Sequence, residues 1–213
     1  MDKTIISLFD FTGAWPRPYW NAGYHIVPVD IKNGKDILTW DYKSYFYGKS
    51  VYGILAAPPC TDYSVSGAQY WPVKDKDGRT AQSNMLINKT LEIVNYFYDD
   101  LEFWSMENPI GRLRRMLHGE YKEGEPHLII PERLKPVDVL LAFNPCDYGD
   151  AYTKKTLLWG KFNPMLVQTP VKPIRYNKQG SWIQSLGGKS ERTKELRSAT
   201  PKGFSQAFYN ANK

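Results

Sequence analysis

Short apolar runs alternate with helix-like segments along most of the chain, and this alternation predicts an α/β fold. Runs rich in β-branched and aromatic residues have the length and composition of strands. They lie at 4–9, 24–31, 54–57, 103–106, 136–143 and 155–162. Helical spacing is clearest over 80–97 and 201–211, with shorter helix-like stretches at 16–22, 40–47 and 111–117. A long helix between two strands is typical of a crossover connection, so we expect parallel pairing around it.

The centre of the pattern is the run 54–57, which is apolar at every position and is followed by Pro58 and Pro59. A strand without alternation is typical of a parallel sheet that is buried on both faces. Since proline cannot continue a ladder, the chain must leave the sheet there in a stiff loop. Cys60 then lies at the carboxyl end of a central strand, where open α/β sheets bind ligands. Cysteine is often a small packing residue, but the polar residues after Cys60 favour a nucleophile.

A second run has the same form: an apolar strand at 103–106 is followed by Glu107, Asn108 and Pro109. Carboxyl ends of neighbouring parallel strands meet at one edge of a sheet. The sequence therefore predicts a cysteine and a carboxylate that face one crevice.

The first strand, a turn with Gly13, a short helix and a second strand ending at Asp30 form a further unit. This is the skeleton of a nucleoside-binding half-fold, in which a glycine admits the ligand and an acid accepts from ribose hydroxyls. With Gly13 as the one glycine in its loop, the unit alone is a weak signal. A surface acid is the alternative for Asp30.

Three pieces in this order resemble the DNA cytosine-5 methyltransferase family, in the short form that bacteriophages carry. They are Phe11-Thr12-Gly13-Ala14-Trp15 with Asp30, then Pro58-Pro59-Cys60 with Ser64, then Glu107-Asn108-Pro109. The resemblance implies an α/β, Rossmann-like methyltransferase fold, with a mixed, mostly parallel sheet and helices on both faces. It also implies S-adenosylmethionine as methyl donor, cytosine-containing DNA as substrate, and a covalent adduct with a flipped base.

The resemblance assigns roles to residues of this sequence. Cys60 is the nucleophile and Glu107 the general acid. A lysine takes the place of the family's arginine at the base, with Lys155 as the catalytic candidate and Lys154 beside it. The donor is assigned to Phe11, Thr12, Gly13, Asp30, Ile31, Asp36 and Pro58, and the base and DNA to Pro59, Ser64, Asn108, Lys154 and Arg112. Arg112 begins a short arginine-rich helix, for which a phosphate contact and a solvated face are equally good interpretations.

We expect one catalytic domain over 1–213, in which the segment 165–197 replaces the family's separate target-recognition domain. About thirty residues are too few for a second core. Sequence recognition must then be weak, or another chain must supply it. The glycine- and lysine-rich stretch 65–79 lacks periodicity and is interpreted as a loop, either plain surface or able to move.

Composition narrows the class further. The 213 residues carry a net charge of +6, which suits a polyanionic partner such as DNA. Cys60 and Cys146 form no disulfide framework, and neither they nor the three histidines have metal-ligand spacing. We expect no metal, no signal peptide and no membrane span, and a cytoplasmic protein, in the bacterial host if a phage encodes it.

Other functions fit the same residues. One is a catalytically inactive nucleic-acid-binding protein of the same fold. Another keeps the chemistry but acts on RNA or a free nucleotide. A third uses a donor with an additional carboxylate, which Arg17 would meet near the donor loop.

Overall fold

A six-stranded mixed sheet forms the centre of the protein. The computed structural model describes residues 3–177, 180–186 and 190–213. The strands are β1 (Thr4–Leu8), β2 (His25–Val29), β3 (Gly53–Ala56), β4 (Phe103–Pro109), β5 (Val139–Phe143) and β6 (Thr156–Lys161). Their spatial order is β2-β1-β3-β4-β6-β5, in which the first four are parallel and β6 runs antiparallel to β4 and β5. A short ribbon, β7 (Arg175–Asn177) and β8 (Gly180–Ser181), lies outside this sheet.

Helices cover both faces of the sheet, which confirms the predicted Rossmann-like α/β class. They are α1 (Arg17–Asn21), α2 (Tyr42–Tyr45), α3 (Trp71–Lys76), α4 (Arg79–Phe97), α5 (Leu113–Leu117), α6 (Trp182–Ser185), α7 (Glu191–Ser198) and α8 (Lys202–Ala211). One core cluster joins the sheet to α2, α4 and α5, and the other joins it to α1 and α8. Two buried faces explain why β3 has no polar position.

Aromatic side chains hold the first and last helices together over one face. The Trp15 ring meets Phe208 edge-on at 5.6 Å, and Tyr19 meets Tyr209 in the same way at 4.9 Å. The Tyr19 hydroxyl also donates to the carbonyl of Asn212 at 3.1 Å. The C-terminal helix α8 therefore packs beside α1.

Helix α4 departs from its predicted apolar stripe. Helical spacing puts Met85 and Tyr96 in one stripe with Leu91 and Val94, which are buried, but more than half of each of the first two side chains is exposed. The buried side carries Asn84, which accepts from the Tyr63 hydroxyl at 2.8 Å and donates to the carbonyl of Pro126 at 2.7 Å. Because this face holds polar loops as well as the sheet, hydrophobic spacing alone places the stripe wrongly.

The stretch 65–79 is ordered rather than a loop throughout. It forms a 3-10 turn over Val65–Tyr70 and then α3. Lys74 in α3 is buried and forms an ion pair with Asp62 at 2.7 Å. The lack of periodicity is explained by a buried polar contact in place of an apolar face.

Among the described residues, every helix is too short or too polar to span a bilayer. In the same residues, no group of three or more His, Cys, Asp or Glu side chains is placed to hold a metal ion.

Candidate active site

Strands β3 and β4 bring the predicted cysteine and carboxylate to one edge of the sheet. The strands are parallel, with Ala56 opposite Met106, so both chains leave the sheet at the same level. The Asn108 amide donates to the carbonyl of Pro58 at 3.0 Å and ties the two strand ends together. Asn108 is fully buried in this role. Its Oδ1 is buried and bonds to none of the described residues, and its contact with a substrate stays a prediction.

The Cys60 thiol lies half-buried at this edge. Burial raises its pKa, since a thiolate loses hydration there. The positive charges of Lys154 and Arg197 act in the opposite direction, while the Glu107 carboxyl raises the pKa further. Cys60, Glu107 and Lys154 thus share one electrostatic site.

The carboxyl of Glu107 points into that site without a protein partner. Although the residue as a whole is only half-buried, its Oε2 is buried and bonds to none of the described residues. Burial raises the Glu107 pKa; Lys154 opposes the shift and Asp10 adds to it. A buried unpaired carboxyl oxygen costs about 1–3 kcal/mol, so the fold carries a polar group that a ligand would satisfy.

Of the two neighbouring lysines, Lys154 is the one directed at the site. It is half-buried and its Nζ donates to the carbonyl of Arg197 at 2.9 Å. Lys155 is exposed, and its carbonyl accepts from the backbone of Ile110 at 3.2 Å. This arrangement favours Lys154 over the predicted Lys155, and a contact of either lysine with a base stays a prediction.

Arg112 is not available to a DNA phosphate. Its side chain is fully buried, and its guanidinium donates to Asp75 and to the Asp62 carbonyl, each at 2.8 Å. The prediction of a phosphate contact is wrong for this residue, because the amphipathic pattern of the short helix does not reveal internal carboxylates. Ser64 and Pro59 lie beside the same turn, Ser64 half-buried and Pro59 exposed, and their contacts with a substrate stay predictions.

The loop after β1 is organised by a carboxylate that the sequence analysis did not select. Asp10 accepts from the Thr12 hydroxyl at 2.6 Å and from the backbone N–H of Trp15 at 2.9 Å. Gly13 has a φ of +61°, which glycine adopts without strain. Phe9 shares that φ value, a rare conformation for a bulky residue and a marker of functional loops. The sequence signal that could have predicted this arrangement is an Asp at a strand end, two positions before a Thr.

The predicted donor residues gather where β1 and β2 end. Asp30 accepts from the Lys32 backbone N–H at 2.8 Å through Oδ1, and its Oδ2 bonds to none of the described residues. The Lys32 ammonium lies 5.1 Å from the centre of the Phe11 ring, so the two loops face each other. Ile31 is three-quarters exposed beside them. Asp36 caps its own turn by accepting from the backbone of Leu38 at 2.9 Å, and its contact with a donor stays a prediction, as does that of Pro58.

A cavity of about 410 Å³ flanks this loop on the α1 side. Thr12, Gly13 and Arg17 line it, whereas Cys60 and Glu107 do not. The Arg17 guanidinium lies 4.9 Å from the Trp20 ring. Arg17 therefore shares this cavity with predicted donor residues, and its contact with a donor that has an additional carboxylate stays a prediction.

Helix α7 connects the two halves of the site, which sequence reasoning missed. At one end, Glu191 and Glu195 form ion pairs with Lys32 at 3.0 and 3.1 Å. At the other end, Arg197 meets Lys154. The predicted replacement segment 165–197 thus contacts both the loop after β2, through Lys32, and Lys154 beside Cys60.

Comparison with known proteins leaves the family open. No family model matches the chain, and no curated protein matches it. Among solved structures, the chain is similar to the Entamoeba histolytica methyltransferase EhMeth, with 12% sequence identity and a TM-score of 0.49. The match covers 82% of this chain and 58% of that one.

Proposed function

We propose that the protein is a DNA cytosine-5 methyltransferase that works through a covalent bond between Cys60 and C6 of a flipped cytosine. The observation that carries the proposal is the buried, unpaired Oε2 of Glu107 in the same electrostatic site as Cys60 and Lys154. A thiol and a protonatable carboxyl on two adjacent strand ends suit the opposite edges of one pyrimidine ring.

Each group has a defined part in the addition. Cys60 attacks C6 as the thiolate, the electrons of the C5–C6 double bond form a C4–C5 double bond, and those of the C4–N3 double bond move to N3. Glu107, whose pKa is raised by burial, donates its proton to N3 and neutralises the developing charge. Lys154 favours the thiolate, since its charge opposes the effect of burial on the Cys60 pKa.

The residues at the ends of β1 and β2 fit the proposed donor. Asp30 has an unpaired carboxylate oxygen for ribose hydroxyls, and Phe11 offers an exposed ring for adenine. When bound, S-adenosylmethionine would supply an electrophilic methyl group on a sulfonium sulfur to C5 of the adduct. Transfer of the C5 proton to a water molecule, expulsion of the Cys60 thiolate and return of the N3 proton to Glu107 would restore the aromatic ring.

DNA is the proposed substrate because the chain carries a net charge of +6 and the chemistry requires a cytosine outside the stack. The segment 165–197 contributes β7, β8, α6 and α7, short elements without a core of their own. We propose that specificity is therefore low or is supplied by another chain. Because a separate recognition domain is not expected, RNA and free nucleotides are the second candidate substrates.

The decisive experiment traps the adduct. The protein, S-adenosylmethionine and duplex DNA with 5-fluorocytosine are mixed, and the product is analysed by denaturing mass spectrometry. We expect a DNA-linked protein whose link maps to Cys60, is lost in Cys60→Ala and is kept in Cys146→Ala. Transfer of a labelled methyl group to duplex DNA, RNA and dCMP then identifies the substrate. Donor binding without label on any of the three would favour the inactive binding protein.

A further inference from the structure

Each backbone carbonyl of residues 60–63 accepts at least one hydrogen bond. The Cys60 carbonyl accepts from the backbone N–H groups of Tyr63 at 3.0 Å and Ser64 at 2.9 Å, which closes a tight turn. The Thr61 carbonyl accepts from the Lys74 ammonium at 2.7 Å. Those of Asp62 and Tyr63 accept from the side chain and backbone of Arg112, at 2.8 and 2.9 Å. The two cationic side chains thus bind two consecutive carbonyls, those of Thr61 and Asp62, and the backbone N–H of Arg112 binds the third, that of Tyr63.

Both cations are buried and neutralised inside the protein. Lys74 is 6% exposed and pairs with Asp62 at 2.7 Å, and Asp62 also accepts from Ser83 at 2.5 Å. The Arg112 guanidinium has no exposed surface and binds Asp75, Glu125 and the hydroxyl of Thr80. Buried ion pairs contribute little net stability, because the desolvation penalty offsets most of their electrostatic attraction. Here they fix the geometry of the turn.

Arg112 also links the nucleophile to the acid. It follows Glu107 by five residues, on the chain that leaves β4. Gly111 brings this chain so close to the Cys60 turn that a Cβ atom there would collide with the Tyr63 carbonyl. The nucleophile turn is therefore fixed relative to the strand end that carries Glu107.

We propose that Lys74 and Arg112 are positioning residues that hold the Cys60 thiol in line with the base. The inference rests on the proposed function and extends it to residues that touch no substrate. A displacement of about 1 Å in a reacting group costs on the order of 100-fold in rate. Loss of one cation is expected to slow adduct formation by about that factor while donor and DNA affinity stay unchanged.

The test removes the Lys74 cation together with its counter-charge. The double variant Asp62→Asn/Lys74→Met leaves no unpaired buried charge, and Lys76→Met on the exposed side of α3 is the matched control. Adduct formation with 5-fluorocytosine DNA is expected to fall about 100-fold in the double variant and to stay at the wild-type rate in Lys76→Met. Equal rates in the two variants would overturn the proposal. If the double variant does not fold, Arg112→Lys is tested in its place. It retains a buried cation but loses the planar guanidinium with its several donors, and it is also expected to slow adduct formation about 100-fold.

A second measurement needs neither DNA nor donor. Iodoacetamide labelling with peptide mass spectrometry follows Cys60, with buried Cys146 as an internal reference. A loosened turn exposes the thiol, so the double variant is expected to label Cys60 about ten times faster while Cys146 is unchanged. Unchanged Cys60 labelling, or an equal rise at both cysteines, would refute a specific effect on the turn. Absence of a wild-type adduct together with the selective rise at Cys60 would instead reject the methyltransferase proposal and leave the positioning role intact.

Discussion

The buried carboxyl of Glu107 leads to a prediction in which activity and stability change in opposite directions. Glu107→Gln keeps the shape of the side chain but removes its acidic proton. General acid catalysis contributes about 10²–10⁴ in rate, so we expect the rate of adduct formation to fall by that factor. Binding of S-adenosylmethionine should remain, since the donor loops end β1 and β2.

Stability is expected to respond to pH with a defined sign. The folded protein raises the Glu107 pKa above its unfolded value, so the folded state binds the proton more tightly. The stabilisation is then fully present below the unfolded pKa and is lost as pH rises through the folded pKa. Glu107→Gln removes this loss, because the amide cannot ionise.

The magnitude follows from the charge, because the amide of Gln keeps the unpaired polar atom but cannot ionise. An unpaired buried group costs about 1–3 kcal/mol and more when it is charged, so at pH 8 a difference of about 2 kcal/mol should raise the melting temperature of the variant by about 4–8 °C. At pH 4 the difference should nearly vanish. Thermal unfolding followed by circular dichroism at both pH values measures it, and Glu102→Gln, exposed just before β4, is the matched control. A variant with normal adduct formation, or with a gain that is the same at both pH values, would contradict this reasoning.

The remaining predictions concern the other parts of the site. Lys154→Met should move the pH midpoint of Cys60 alkylation upward, because Lys154 lowers the Cys60 pKa, whereas Lys155→Met should leave the midpoint in place. Identical pH profiles for the two variants would show that Lys154 does not act on Cys60. Asp30→Asn should weaken S-adenosylmethionine binding about tenfold by calorimetry through loss of charge-assisted bonds to the ribose, and an unchanged Kd would place the donor elsewhere. Phe208→Ala should lower the free energy of unfolding by about 3–5 kcal/mol in urea, since the side chain is fully buried, and a loss below 1 kcal/mol would mean that this core relaxes around the cavity.

Part of the fold was predictable because its signals are local. The apolar run before Pro58 and Pro59 required a buried strand that stops there, and β3 ends at Ala56 as expected. The pattern at 103–106 placed Glu107 on the neighbouring strand, and the register of β3 and β4 confirms that both ends lie at one edge. The C-terminal helix was visible from its apolar side, which carries Phe204 and Phe208.

Other parts depended on residues far apart in the sequence. Nothing local distinguishes Lys154 from Lys155; the difference comes from the chain near Arg197, which accepts from one of them. Arg112 lies in an amphipathic stretch that suits a surface, yet Asp75 and Glu125 neutralise it inside the protein.

The sequence by itself determined that the six strands of the main sheet and the helices α4 and α8 exist, and which polar residues follow β3 and β4, because hydrophobic period and proline placement act over a few residues. The tertiary structure alone decided which of these groups face one another and which charges are buried. That information is long-range: the direction of a side chain depends on the partners that packing brings to it, and here those partners lie tens of residues away along the chain.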